Sequence, residues 1–474
     1  MSEAFYDRLT EMDRSFLIYE GPDSPMHVGA VQLFEAAPLR GEDGYIDIER
    51  IIEYVGSRLH HIPRYRQRVD EAPIDRHPIW VDDQNFNLRY HVRHSRLPRP
   101  ADERTLKRTC ARLVEQRLDP HKPLWELWVV EGLEDDRVAL VSKAHHCMVD
   151  GVSGVDLMSV LLTREPCEKP EPVAFWRPRR TRPPSALVAG EARRRVGQWA
   201  DARQAVRDVV RGEQGARTRL RERLEATGRM LRSGAEGGDL APWNQPIGPH
   251  RRFDWLETSI DDIRAIRSRF GGTLNDVVLA VAAGALRRFL KVSRHTDPDH
   301  LVFKVMAPVS VRTRDERGQL GNRVSAWLVP LPLDERDPVK RLARVCETTA
   351  ELRANHDALG WETVTQAIEW IGSTPISLGA RMMRDSSPFN MVITNVPGPR
   401  EPLFLMESRM LEAHGMVPLL GVLGIGIVLF SYQRTLSWGF TADWDLVPDL
   451  HDLVLDVERD FQQLREAAGE AEAD

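Results

Sequence analysis

Along this chain the spacing of apolar residues switches repeatedly between period two and the helical period, which predicts strands alternating with helices. Alternation marks strands at 28–34, 123–130 and 137–144, the last with Val138, Leu140 and Ser142 on one side. Helical spacing covers 46–59, where Ile48, Ile51, Ile52, Val55 and Leu59 share a face, and 102–117, where Leu106, Cys110, Leu113 and Val114 form the stripe. A short capped helix opens residues 9–36, and the Gly21-Pro22-Asp23-Ser24-Pro25 cluster turns it into the first strand. The alternation resumes past residue 250. It predicts a strand at 252–262, a mostly apolar helix at 274–290, strands at 301–310 and 324–332, a helix at 337–356 and a strand at 389–396. Residues 424–432 and 435–442 make a hairpin through Gln433-Arg434, and a helix at 448–465 turns Leu450, Leu453, Val457 and Phe461 inward. The chain therefore reads as α/β in two units of similar size, residues 1–165 and 251–474. An Arg/Pro-rich helical linker, 166–250, separates them, and the halves show no close sequence repeat.

Length agrees with this division, since 474 residues exceed one ordinary core. No run of eighteen apolar residues escapes a charge, and no basic-then-apolar leader opens the chain. Neither a membrane-spanning helix nor a signal peptide is expected, and a cytoplasmic setting follows. Cys110, Cys147, Cys167 and Cys346 are scattered without C-x-x-C spacing, so free thiols are expected rather than a disulfide framework or a zinc site. A net charge of −6 argues against nucleic acid as a partner. Charge changes the picture in one place. Residues 177–232 hold sixteen arginines, no lysine and six acidic residues, a net +10 that leaves −16 on the rest. Val196, Trp199, Val206, Val210, Leu220, Leu224 and Leu231 recur there at helical spacing. Two readings fit: solvated helices packed on the body, or a basic amphipathic surface for anionic membrane or lipid-droplet lipid, where each near-surface arginine contributes about 1 kcal/mol.

The most specific chemistry lies at the end of the 137–144 strand, where Val141–Gly154 reads V-S-K-A-H-H-C-M-V-D-G-V-S-G. An apolar-periodic helix follows, with Ser153 as its cap. Three chemistries compete for His145 and His146. Successive strand side chains point to opposite faces, which opposes joint ligation of one metal ion, and His146 with Asp150 lacks a visible third ligand. A nucleophile built from Cys147 lacks an oxyanion-forming glycine turn. General-base catalysis fits best: one imidazole faces a cleft, the other faces the interior, Asp150 orients the loop and Gly151 permits an unusual backbone.

His145-His146-x-x-x-Asp150-Gly151 resembles the H-H-x-x-x-D-G acyltransferases, and further segments resemble the bacterial wax ester synthase/diacylglycerol acyltransferase family. These are the opening L-T-E-M-D-R-S-F-L with Pro25–Ala30, Pro123-Leu124-Trp125, Asn275-Asp276, Pro308–Arg312 with Gly321-Asn322, and Ile393–Pro399 with Pro402-Leu403. The matches run in order along essentially the whole chain, with the arginine-rich stretch least covered. The resemblance implies two chloramphenicol-acetyltransferase-like domains, each a mixed β-sheet flanked by helices, with an active-site tunnel between them. It implies His146 as the base, with long-chain acyl-CoA as co-substrate, diacylglycerol or a fatty alcohol as acceptor, and no cofactor or metal. His145 then supports the loop. Asn275, an amide at the start of an otherwise apolar helix, is the candidate oxyanion or substrate-positioning donor, with a helix cap as its other reading. Asp276 is expected to be structural, paired with an arginine, and Pro123, Leu124 and Trp125 to serve packing. Acyl transfer to another hydroxyl lipid or polyketide, and a catalytically silent lipid-droplet scaffold, are the remaining readings.

Overall fold

The computed structural model describes residues 6–73, 75–148, 157–167, 171–172, 175–180, 185, 188, 239–310, 324–354 and 387–470. Two six-stranded mixed sheets dominate. The first runs β12(Phe404–Leu405)-β13(Ser408–Met416)-β2(His27–Glu35)-β7(Arg137–His145)-β6(Trp125–Glu131)-β5(Val92–Arg96). The second runs β10(Val324–Leu331)-β9(Phe303–Ser310)-β11(Met391–Val396)-β14(Ile425–Tyr432)-β15(Thr435–Asp443)-β8(Arg251–Ser259). A small third sheet, β1(Asp7–Arg8)-β4(Pro78–Asp82)-β3(Gln67–Glu71), lies in the first half. Each large sheet is antiparallel except where a crossover intervenes: β5 runs parallel to β6, and β11 parallel to β9 and β14.

Helices α1(Glu11–Tyr19), α2(Ile48–Arg58), α3(Leu88–His91), α4(Glu103–Glu115) and α5(Leu157–Leu161) serve the first half. The second half has α6(Ile260–Phe270), α7(Leu274–Val292), α8(Pro338–Ala354) and α9(Leu450–Glu470). The apolar run predicted at 274–290 is α7, and it is buried on nearly every side because α9 and α8 pack against it over the second sheet. Arg341 of α8, itself 2% exposed, is held there by a two-oxygen ion pair to Asp460 of α9 (2.6 and 2.8 Å). A Cβ on Gly284 of α7 would collide with that pair, so close helix contact and the buried charges require each other at this point.

Three expectations change. Residues 252–262 do not form one strand: Ser259 accepts from the amides of Asp261 and Asp262 and caps α6. Residues 239–250, expected in the linker, belong to the second core. Trp243 is fully buried there, and Asn244 donates to the carbonyls of Asn390 and Val422. Residues 404–416, expected within the C-terminal unit, join the first sheet instead, β13 pairing with β2 and β12 with β13, a one-way exchange of strands between the halves. This exchange brings the sheets into backbone contact, since β13 lies against β14 and β15 and a Cβ on Gly439 would strike the Gly415 carbonyl. A shared core also joins them, with Cys110 and Leu113 of α4 packed with Phe253 and Trp255 of β8. The helical spacing read from Val196 to Leu231 lies outside the described residues.

Candidate active site

β7 is a central strand of the first sheet, and its end delivers the two histidines to different places. His145 is its last residue, and His146 opens a single 3₁₀ turn, His146–Met148. The backbone is gripped from both sides: His145 N–H donates to Leu124 O (2.9 Å) and His146 N–H to Met26 O (2.7 Å). The P-L-W and P-M-H segments are thus the neighbouring strand ends that fix where the imidazoles begin.

The His145 ring is 1% exposed. Its Nδ1 accepts the Cys147 N–H (3.1 Å) and lies 2.9 Å from Cys147 Sγ. Burial, then the neighbouring His27, His146 and Arg117, drive its pKa down to about 3. His27, opposite it in the β2–β7 register, donates Nδ1–H to Val114 O (2.9 Å) and is held at about 4, mainly by burial. His145 is therefore a neutral interior ring tied to the turn that follows it. Cys147 is 2% exposed and burial pushes its thiol well above the ordinary range, so it is no thiolate nucleophile.

His146 is half-buried and goes elsewhere. Its ring stacks on Phe16 of α1 with centroids 3.8 Å apart and planes 24° from parallel. Its Nδ1 is buried, with no hydrogen-bond partner among the described residues. Burial lowers its pKa to about 4, so the ring is neutral at physiological pH. Phe16 was not singled out from the sequence; its only signal was membership of the opening L-T-E-M-D-R-S-F-L. Asp150 and Gly151 lie outside the described residues.

On the second half, α7 begins with a capping box: Thr273 accepts from the Asp276 amide, and the Asp276 carboxylate accepts from the Thr273 amide. The cap is thus Thr273, not Asn275. Asp276, 1% exposed, also accepts from Thr349 Oγ1 (2.8 Å) and faces Arg353 at 3.5 Å. Asn275 sits in the same first turn, and its Oδ1 accepts Nδ2–H of Asn395 on β11 (2.8 Å). Asn395 belongs to the Ile393–Pro399 segment, a match the sequence displayed without a chemical role. Among the described residues, no hydrogen bond or ring contact joins His146 to Asn275. Trp125 is 1% exposed, stacks on His91 at 4.6 Å and donates Nε1–H to Tyr65 O (2.8 Å).

Residues 9–278 match the family model of the wax ester synthase/diacylglycerol acyltransferase catalytic domain, and residues 320–465 that of the WS/DGAT C-terminal domain. A Mycobacterium tuberculosis protein named as a diacylglycerol O-acyltransferase is 31% identical over 94% of this chain and 88% of its own length. A Mycobacterium bovis protein named likewise is 31% identical over 98% of this chain and 100% of its own. The solved wax ester synthase/diacylglycerol acyltransferase of Marinobacter aquaeolei VT8 superposes with a TM-score of 0.68 at 23% identity, covering 98% of this chain and all of the other. The first condensation domain of the calcium-dependent antibiotic synthetase superposes at 0.59 with 14% identity, covering 98% and 96%.

Proposed function

We propose that this chain, which belongs to the wax ester synthase/diacylglycerol acyltransferase family and is an O-acyltransferase, moves a long-chain acyl group from CoA to the hydroxyl of diacylglycerol or of a fatty alcohol. The observation that carries the reading is the neutral, half-buried His146 at the end of a central strand, in a chain matched along most of its length. Its substrates would meet in a tunnel between the two halves.

A thioester is already activated, so the protein has to position a hydroxyl and move one proton. His146 takes the proton from the acceptor hydroxyl as the oxygen attacks the thioester carbonyl carbon. The tetrahedral intermediate collapses, the C–S bond breaks, and the imidazolium returns the proton to the thiolate, leaving an ester and free CoA. Burial that depresses the pKa keeps the ring unprotonated at rest, and negative charge developing beside it stabilises the imidazolium during reaction. Asn275 is the proposed oxyanion donor. Its oxygen is engaged by Asn395, which leaves its NH₂ group to donate, and the N-terminal turn of α7 adds a partial positive charge. His145, Asp276, Leu124 and Trp125 are assigned positioning and packing roles.

The test is release of CoA thiol from palmitoyl-CoA, with hexadecanol and dioleoylglycerol as parallel acceptors. Acceptor-dependent release with either is expected, and none with both, from folded protein, overturns the reading. No described helix is long and apolar enough to cross a membrane. The +10 arginine segment, 177–232, is accordingly proposed as a lipid contact. Arginine-to-glutamate reversal there should lower co-flotation with anionic vesicles, and unchanged flotation removes the idea.

A further inference from the structure

The strand exchange between the halves gathers three metal-ligating side chains that are far apart in sequence. Glu412 and His414 lie two apart on β13 of the first sheet, and Glu257 lies on β8 of the second. One ligand atom from each, a ring nitrogen and two carboxylate oxygens, falls within 4.8 Å of the others. We propose that Glu257, Glu412 and His414 form a binding site for a divalent transition-metal ion that ties β13 of one sheet to β8 of the other.

The donor set is of the right kind, because an imidazole with two carboxylates suits Zn²⁺ and ions like it. Distances permit it. Donors about 2.1 Å from one tetrahedral ion stand about 3.4 Å apart, and His414 Nε2 is already 3.1 Å from Glu412 Oε2. Glu257, whose residue reaches solvent at the rim, has the freedom to close the remaining gap.

The surroundings resemble an outer shell built to aim the ligands. His414 is fully buried, its ring stacks on Trp255 at 4.4 Å, and its Nδ1 is 2.7 Å from Ser437 Oγ on β15. Ser437 is the register partner of Glu257, so the same strand pair carries both the residue that orients the imidazole and the third ligand. Glu412 keeps its other oxygen at 3.3 Å from Arg137. The nearest ammonium, Lys107, is taken by Glu103 and Asp254, each at 2.6 Å, and lies over the Trp255 ring. The two glutamates also bring like charges within 4.8 Å of one another, and a cation between them would relieve that repulsion.

No spacing motif announces the site, because positions 257, 412 and 414 meet only through the exchanged strand. Its place between the sheets means that a bound ion would resist their separation.

The test uses the full chain, stripped with a chelator and titrated with Zn²⁺ by calorimetry and thermal melting. A His60→Ala, His61→Ala background removes the other described cluster of this type, His60, His61 and Glu171. One equivalent of saturable binding and a raised Tm are expected. Glu257→Gln should weaken binding at least tenfold while its ion-free melting stays close to that of the parent, which separates a ligand role from a folding role. His414→Gln should remove binding. Absence of saturable binding at micromolar Zn²⁺, or equal affinity in the parent and Glu257→Gln, overturns the proposal.

Discussion

His146→Ala is expected to lower kcat for thiol release by about 10²–10⁴-fold, the usual contribution of a positioned general base. Thermal stability should change little, because the half-buried ring gives up one stack on Phe16 and its Nδ1 has no hydrogen bond to lose among the described residues. Asn275→Ala belongs in the same assay, where loss of an oxyanion donor predicts about 10²–10³-fold in kcat. The pH profile adds a readout that a structural role would not move. A base held near 4 is unprotonated throughout the neutral range, so kcat/KM should show no histidine inflection near 6.5 between pH 5 and 8. An inflection there would place His146 in a more solvated setting in the working enzyme. Retained turnover in folded His146→Ala protein would end its assignment as the base.

How much of this was legible in the sequence depends on whether the cause was local. β7, α4, α7 and the 425–443 hairpin were read correctly because their apolar periodicity is dictated by the one face, or in α7 the whole surface, that each buries. The separation of His145 from His146 was expected from strand pleat, but its cause is different: β7 ends at His145, and His146 opens the 3₁₀ turn that carries its ring away. β13 was missed. Its Ser408–Met416 sequence carries glutamate, histidine and glycine where an isolated strand would show clean alternation, and only tertiary partners explain them: Arg137 of β7 for Glu412, Ser437 of β15 for His414, and Val428 of β14 close against Gly415. Phe16 and Asn395 were missed as site residues because each acts on a side chain more than a hundred positions away. Linker composition misled at 239–250, where Trp243 was the contrary signal.

Acidification is expected to destabilise the protein well before its carboxylates are neutralised. His27, His91 and His145 are each 1% exposed, and burial first of all holds them at about 4, 4 and 3. In the unfolded chain each returns to about 6.5. Above that value both states leave them neutral and nothing is lost. Between about 6.5 and 4 the unfolded chain binds protons that the folded one refuses, so stability falls as pH falls, by about 2 kcal/mol for each ring by pH 5. Buried acids with raised pKa act in the opposite direction. Asp456, moved up to about 6, takes up its proton in the folded state and returns about 1 kcal/mol, while the effect of Glu257 at the rim is screened. The histidines therefore win, with a net loss of about 5 kcal/mol against total stabilities of about 5–15 kcal/mol. Melting curves in matched buffers at pH 7.5 and 5.0 should show a clear drop in Tm. His91→Phe isolates one contributor: the ring lies between Trp125 and Phe86, where a phenyl fits, and only the 2.8 Å bond from Nδ1–H to Trp125 O is given up. The variant should lose less Tm between the two buffers than the parent does. Equal losses would show that His91 does not titrate across unfolding, and an unchanged parent Tm would remove the histidine account altogether.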